Sequence, residues 1–315
     1  MQTKGLTCFE SGALQNRASQ ARALLSRCRL CPRNCGVDRL NGETGVCRTA
    51  EQAIVASFSP HFGEESVLVG SNGSGTVFFA GCNLTCCFCQ NYDISHDVSG
   101  GAAVAPERIA SIMLDLQQRG CHNINFVTPT HVVPQILDAL LVAYQGGLRL
   151  PLVYNSSGYE AVDTLKLLDG VIDIYMPDFK FWNRISARTY AAAEDYPAVA
   201  RKAVREMFRQ VGDLQIDERG IAVQGLLIRH LLMPGALAET EAILSFIAGQ
   251  ISTSTYVNIM DQYRPCGRSS EYEELRNSIG PAHYRQALAC AENAGLTRLD
   301  QRDLPSLLRR LGITL

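Results

Sequence analysis

The sequence predicts an α/β protein, a partial (β/α)6 barrel with an N-terminal cysteine-rich metal-binding appendage. Two observations predict it. After residue 74, short apolar β-rich runs alternate with longer helical stretches, and eight of the 12 cysteines fall into two clusters before residue 90. Near-continuous hydrophobic runs suit parallel strands that helices bury on both faces. We therefore expect the metal-binding region over residues 1–70 and the barrel over residues 71–315.

Each predicted strand is followed by a predicted helix. The strands cover residues 76–80, 123–127, 152–154, 171–176, 226–228 and 256–260. The helices cover residues 106–119, 133–144, 159–168, 196–211, 238–248 and 281–294. A closed eight-stranded barrel usually needs about 250 residues. Because only six strands are predicted, a partial barrel fits better, with its function at the carboxyl ends of the strands.

Composition and charge exclude several classes of protein. Hydrophobic residues make up 46% and charged residues 19% of the chain, which is typical of a folded protein rather than a disordered one. The net charge of −2 argues against a general nucleic-acid binder. No apolar run approaches the roughly 18–20 residues of a membrane span, and no secretory signal is evident. We therefore expect a cytoplasmic protein whose clustered cysteines bind metal rather than form disulfides.

The second cysteine cluster directly follows the first predicted strand. Cys82, Cys86 and Cys89 have the spacing C-x3-C-x2-C. Three thiolates can hold three irons of a [4Fe–4S] cluster, which ordinarily takes four cysteines, so one iron stays open for another molecule. A zinc ion with one open position is the alternative.

The segment CNLTCCFC, from Cys82 to Cys89, resembles the CxxxCxφC signature of the radical S-adenosylmethionine (radical SAM) superfamily, with Phe88 as the aromatic residue. Cys87 then takes a variable position and is not a ligand. The resemblance implies that the open iron binds the amino and carboxylate groups of SAM. It also implies that an electron from the cluster cleaves SAM to methionine and a 5′-deoxyadenosyl radical, which abstracts hydrogen from a substrate. The cofactor carries this chemistry, while the protein supplies position and excludes water.

Over residues 20–300 the chain is similar to the pyruvate formate-lyase-activating-enzyme-like branch, many of whose members are uncharacterised iron–sulfur proteins. The similarity rests on blocks such as GCNLTCCFCQNYDIS, YNSSGY, DIYMPDFKFW and IRHLLMPG. It implies a partial barrel of the radical SAM type, an electron donor such as flavodoxin or ferredoxin, and a protein as one candidate substrate. Glycyl-radical enzyme activation is one candidate reaction. The alternatives are radical modification of a peptide or small molecule, and a non-catalytic iron–sulfur or zinc protein.

The resemblance also implies SAM ligands at the later strand ends. Asp178 and Lys180 match an Asp-x-Lys of the activating enzymes whose residues contact SAM, and a surface ion pair is the rival interpretation. Arg229 matches an arginine of the same site and suits the SAM carboxylate, because guanidinium binds carboxylates in a bidentate manner. The family's SAM-binding histidine after the sixth strand has no counterpart, so Gln262 or Tyr263 would replace it.

Two further loops are expected to bind SAM, each with a structural alternative. Thr128 and Thr130 lie where the family has a Gly-Gly-Glu stretch that contacts the amino group of SAM. A proline-containing helix start is the alternative there. Asn155 and Ser157 follow the third strand and are expected to reach the ribose or the methionine carboxylate, unless they only cap the next helix. No residue is assigned as catalytic.

The N-terminal cluster has four cysteines with the spacing C-x2-C-x3-C-x11-C: Cys28, Cys31, Cys35 and Cys47. Glycines within this segment permit the tight turns that bring four sulfurs to one ion. Four thiolates hold either a structural zinc or a closed [4Fe–4S] cluster, and we favour zinc. Unmetallated thiols are the remaining alternative. Residues 59–65, which contain one histidine and two glutamates, either face the substrate or form a solvated turn.

Overall fold

Six parallel strands form the centre of the structure, a computed structural model that describes residues 2–300. In chain order the nine strands of this described part are β1 (Ala53–His61), β2 (Ser74–Phe79), β3 (Ala102–Val104), β4 (Ile124–Val127), β5 (Leu152–Ser156), β6 (Ile174–Pro177), β7 (Gln215–Ile216), β8 (Ala222–Leu231) and β9 (Tyr256–Met260). Strands β2, β4, β5, β6, β8 and β9 lie side by side in that order, and each neighbouring pair is parallel. The predicted partial (β/α)6 barrel is therefore confirmed.

The helices alternate with these strands. They are α1 (Lys4–Glu10), α2 (Ala13–Ala23), α3 (Ser66–Val69), α4 (Tyr92–Ser95), α5 (Pro106–Gln118), α6 (Val133–Gln145), α7 (Val162–Leu167), α8 (Arg184–Ala191), α9 (Tyr196–Val211), α10 (Leu237–Gln250) and α11 (Pro281–Asn293). Each predicted helix corresponds to one of them. Pro106 begins α5 at a position where its missing N–H costs nothing. Within residues 2–300, no helix is long and apolar enough to cross a membrane.

Further pairings extend both ends of the sheet. Strand β1 pairs antiparallel with β2, and the three-residue strand β3 pairs with the outer side of β1. At the opposite end, the backbone of Val257 in β9 exchanges hydrogen bonds with Arg298 and Asp300. The sheet therefore extends beyond the six strands that the sequence predicts.

The N-terminal region packs against the barrel. Leu6 in α1 and Leu14 in α2 are buried in the same hydrophobic core as the helices of the barrel. The Lys4 backbone N–H donates a hydrogen bond to Asp173 Oδ1 at 2.8 Å, just before β6. Strands β1 and β2 also pair across the predicted boundary between residues 70 and 71. That boundary stays a prediction, and the residues on its two sides share one sheet and one core.

Candidate functional site

A cavity of about 370 Å³ lies at the carboxyl ends of the parallel strands. Its wall includes residues from the ends of all six strands or from the loops that follow them. All but one of the predicted cofactor-binding residues line it: Cys82, Cys86, Phe88, Cys89, Thr128, Asn155, Ser157, Asp178, Lys180 and Arg229. The parallel arrangement explains this gathering, because loops after parallel strands meet at one edge of the sheet.

The loop after β2 presents its cysteines to different surroundings. Leu84 N–H lies 3.4 Å from Cys82 Sγ, and the Ser95 hydroxyl lies 3.2 Å from Cys89 Sγ, so each thiol has a hydrogen-bond donor beside it. Cys87 instead lines a separate cleft, and its backbone N–H donates to the carbonyl oxygen of Tyr190 at 2.8 Å. Cys87, which does not fit the C-x3-C-x2-C spacing, therefore does not line the cavity.

Burial controls the protonation of the cavity thiols. It raises the pKa of Cys82 to about 12 and raises the pKa of Cys86 as well. Because a metal binds the thiolate form, binding at these cysteines would release protons. Within residues 2–300, no three His, Cys, Asp or Glu side chains stand together in metal-binding geometry. Ligation at either cysteine cluster therefore stays a prediction, supported by the shared cavities that the sulfurs line.

The same cavity is lined by a network of charged side chains that are only 13–17% exposed. Lys180 Nζ donates to Asp178 Oδ2, and Arg229 Nε donates to Asp178 Oδ1 at 2.8 Å. Arg229 also donates to Asn155 Oδ1 at 2.7 Å and lies 3.9 Å from a carboxylate oxygen of Glu64. The Asp178–Lys180 pair therefore lies inside the cavity rather than on the surface.

The same network fixes the charge of its members. Burial alone would raise the pKa of Asp178, but the attraction of Arg229 and Lys180 outweighs it and lowers the pKa. For Lys180, burial is outweighed in the same way by the attraction of Asp178, and the pKa is raised. Asp178, Lys180 and Arg229 are therefore all charged at neutral pH. Cations and carboxylates placed side by side can bind the carboxylate and ammonium groups of an amino acid.

The loops after β4 and β5 contain residues that line the cavity and residues that make structural hydrogen bonds. Thr128 lines the cavity with φ of +60°, a left-handed conformation that is uncommon for a residue other than glycine. Thr130 points away from the cavity and donates a hydrogen bond to the buried carboxylate of Glu160 at 2.5 Å. Ser157 lines the cavity, and its hydroxyl accepts a hydrogen bond from Tyr159 N–H at 3.4 Å. It does not cap the next helix, because α7 begins after Ala161 and has no side-chain cap within residues 2–300.

A close contact brings the ends of β5 and β6 together. Gly158 has φ of +75°, and a Cβ at this position would lie 2.3 Å from the carbonyl oxygen of Asp178. Only glycine allows this approach without displacing the backbone. The Tyr196 hydroxyl lies 2.9 Å from the carbonyl oxygen of Ser157 and accepts a hydrogen bond from Lys180 N–H at 2.8 Å. These contacts hold the predicted SAM ligands of the two strands against each other.

Other cavity residues were missed or left open at the level of sequence. His61 at the end of β1 and Glu64 line the cavity, with His61 Nδ1 3.7 Å from a carboxylate oxygen of Glu64. They reach it because β1 lies beside β2, a pairing that the alternation of β and α segments does not predict. Of the two residues left open after β9, Gln262 lines the cavity. Tyr263 is buried and donates to the carbonyl oxygen of Leu275 at 2.7 Å.

The N-terminal cysteines surround a second, much smaller space of about 10 Å³. All four sulfur-bearing residues line it: Cys28, Cys31, Cys35 and Cys47. Hydrogen bonds from Cys28 N–H to the Val37 carbonyl and from Gly36 N–H to the Cys28 carbonyl fold the segment back on itself. A volume near 10 Å³ holds about one water-sized particle. All four cysteines therefore border one small shared space.

Comparison with known proteins gives one relative and several distant structures. No family model matches the sequence. The chain is 32% identical over 285 residues to the uncharacterized protein MJ0674 of Methanocaldococcus jannaschii, with 88% of this chain and 77% of that protein covered. Solved structures include native anSMEcpe with bound AdoMet, at 10% identity and a TM-score of 0.47, and methylornithine synthase (PylB), at 14% identity and a TM-score of 0.44. The matches cover 68% and 76% of this chain, and 57% and 82% of those chains, respectively.

Proposed function

The chain belongs to the same family as the uncharacterized protein MJ0674. From its cysteine motif and its cavity, we propose that the chain is a radical SAM enzyme. One observation carries the proposal. The three cysteines of the C-x3-C-x2-C motif line the same cavity as Asp178, Lys180 and Arg229. Thiols suit iron, and a mixed set of fixed charges suits the amino-acid part of SAM.

The donor set fits both groups. Cys82, Cys86 and Cys89 would hold three irons of a [4Fe–4S] cluster, and no fourth cysteine among residues 2–300 lines the cavity, so one iron would remain for SAM. When bound, the cluster supplies the electron for reductive cleavage of SAM to methionine and the 5′-deoxyadenosyl radical, the species that removes hydrogen from a substrate.

The side chains of the protein bind and orient the two groups. Arg229 and Lys180 offer cationic donors to the methionine carboxylate, while Asp178 and Glu64 offer acceptors to the amino group. Phe88 is buried and packs edge-on against Phe181, with ring centroids 5.9 Å apart. These rings form an apolar wall next to the motif, which would limit the contact of water with a reactive radical.

Our proposal for the substrate that gives up the hydrogen atom rests on the resemblance of the sequence rather than on these residues. The resemblance of the sequence favours a glycine of a partner enzyme, and modification of a peptide or a small molecule is the alternative. We also propose an electron donor of the flavodoxin or ferredoxin type and a cytoplasmic location, both on the resemblance and composition of the sequence. A non-catalytic iron–sulfur or zinc protein is the rival class, and the cavity beside the cysteines argues against it, because a closed electron carrier needs no such space.

The proposal predicts reductive cleavage of SAM. Protein that is reconstituted with iron and sulfide without oxygen, then reduced with dithionite, should form 5′-deoxyadenosine and methionine from SAM. Chromatography with mass spectrometry measures both products, and enzyme without reductant is the control. A fully loaded and reduced protein that forms no 5′-deoxyadenosine would move the chain to the rival class.

For the N-terminal cysteines we propose one zinc ion. All four cysteines line one small space, and four thiolates are a common ligand set of structural zinc. Elemental analysis of the anaerobically reconstituted chain should then give about four irons and about one zinc. About eight irons without zinc would instead establish a second [4Fe–4S] cluster.

A further inference from the structure

We propose that the four-cysteine centre holds the loop of Cys82 in place, so that its metal is required before the iron–sulfur cluster can assemble. This inference rests on the proposed function for the identity of that cluster. The two cysteine sites are neighbours in the structure although they are far apart in the sequence. Three separate contacts connect them, at Ala80, Gly81 and Asn83, which are the residues on either side of Cys82.

The first contact is a close approach of two backbones. Gly81 has φ of +82°, and a Cβ built on it would lie 2.3 Å from the carbonyl oxygen of Cys47. It would also lie 3.2 Å from the hydroxyl of Thr49. The residue just before one predicted iron ligand therefore rests directly on a predicted ligand of the other centre.

The second contact is a hydrogen bond from between two of the N-terminal cysteines. Arg33 lies between Cys31 and Cys35, and its Nε donates to the carbonyl oxygen of Asn83 at 2.7 Å. Asn83 is buried, lines the space between the four cysteines, and donates from its side chain to the carbonyl oxygen of Tyr159 at 2.7 Å. The residue just after Cys82 is thus fixed from both sides.

The third contact passes through a buried cation. Arg39 is fully buried, lines the four-cysteine space, and donates from Nη1 to the carbonyl oxygen of His131 at 2.7 Å. His131 Nε2 lies within hydrogen-bond distance, 2.9 Å, of the carbonyl oxygen of Ala80. Arg39 therefore touches the loop of Cys82 through a single intervening residue.

The surroundings of Arg39 indicate that an anion belongs between the cysteines. Its Nη2 has no hydrogen-bond partner within residues 2–300, and its other two nitrogens donate to neutral carbonyl groups. A buried guanidinium is costly without a compensating negative charge. Four thiolates around a divalent ion carry a net charge of −2 and would supply that charge. The burial of Arg39 is therefore independent support for a metallated site.

The segment that makes these contacts depends on its metal. Its own hydrophobic cluster consists of Leu25, Cys28 and Leu30, with Leu24 and Val37 packed against it. Such a small cluster does not stabilise a loop by itself, and metal binding supplies the folding free energy in comparable cysteine-rich segments. Loss of this metal would therefore release all three contacts around Cys82 at once.

Two cysteine variants test the order of dependence. Cys35→Ser should lose zinc and also retain roughly half or less of the wild-type iron after reconstitution, because the loop of Cys82 loses its support. Cys82→Ser should lose iron and keep its zinc. Full iron content in Cys35→Ser protein that has lost zinc would overturn the inference.

A matched glycine pair tests the contact without removing a ligand. Gly81→Ala and Gly42→Ala place alanine at φ of +82° and +85°, but only the first Cβ meets another atom of residues 2–300 within 4 Å. Both variants carry similar backbone strain, so they differ only in the contact that the new Cβ makes. Because its Cβ makes no such contact, Gly42→Ala should bind zinc and iron normally. Gly81→Ala should keep zinc but bind roughly half or less of the wild-type iron. Normal iron content in Gly81→Ala would contradict the inference, even if Cys35→Ser fails to fold.

These measurements separate the inference from the proposed function. Metal content is determined without turnover, so the dependence of iron on the four-cysteine centre is decided even if the wild-type chain cleaves no SAM. Conversely, a wild-type chain that cleaves SAM but holds no metal at the N-terminal cysteines would reject the inference and leave the proposed function standing.

Discussion

Replacement of Cys86 by alanine is expected to abolish the SAM-reactive cluster and all formation of 5′-deoxyadenosine, whereas Cys87→Ala should retain both. The two thiols are adjacent in one loop and each residue is 7% exposed, so general damage from the loss of a buried thiol should be similar. They differ in where they lie. Cys86 lines the cavity with Cys82 and Cys89, and Cys87 lines the cleft on the other side of the loop.

Iron content, the electron paramagnetic resonance signal of the reduced cluster and product formation measure this difference. Cys87→Ala serves as the matched control, and its thermal stability should fall only modestly. Equal loss from both substitutions, or loss from Cys87→Ala alone, would mean that the ligand set is wrong. That outcome would also remove the strongest link between this chain and SAM chemistry.

Asp178→Ala is expected to weaken SAM binding by about ten- to a hundred-fold while cluster assembly stays intact. The carboxylate of Asp178 accepts hydrogen bonds from Lys180 and Arg229, and its removal leaves these two cations next to each other without their shared acceptor. A charge-assisted hydrogen bond contributes about 1.5–3 kcal/mol, which corresponds to that range of affinity. Equilibrium dialysis of SAM against protein of known iron content measures the change.

Asp163→Ala is the matched control for this substitution. Asp163 also pairs with a lysine, at 3.0 Å from Lys166, but its side chain is 95% exposed. Exposed pairs contribute little to stability, and this one lies away from the cavity wall, so SAM affinity should not change. Unchanged affinity in Asp178→Ala with full iron content would remove Asp178 from the binding site.

Local pattern was sufficient for the barrel. Helix α9 and strand β9 have the predicted bounds, and the other predicted segments differ from the observed ones mainly at their ends. Parallel strands buried on both faces read as continuous apolar runs, as in the fully buried β4. The same rule explains why β1 was missed. Only Ala53 and Val55 of β1 are buried, and its second half is half-buried or exposed and includes Pro60, so the apolar run covers only its first four residues.

Tertiary contacts decide the parts of the site that the sequence left open. Thr128 and Thr130 are two residues apart and of the same type, yet the left-handed turn at Thr128 leaves Thr130 bonded to Glu160. Nothing in the local pattern distinguishes them. Likewise, Arg39 and His131 look like surface residues in the sequence, and their burial follows only from the contact between the N-terminal segment and the barrel.

The covered ends of the sheet bear on how this chain behaves at high concentration. An exposed strand edge presents unpaired N–H and C=O groups that can recruit a strand from another molecule and start aggregation. Here β1 pairs with β2 at one end and β3 pairs with the first three residues of β1, while at the other end the stretch around Arg298 and Asp300 pairs with β9 at Val257. A six-stranded open barrel would otherwise expose the full outer sides of β2 and β9. These pairings therefore reduce the length of strand edge that is available for edge-to-edge association, while the strand ends that form the cavity remain open.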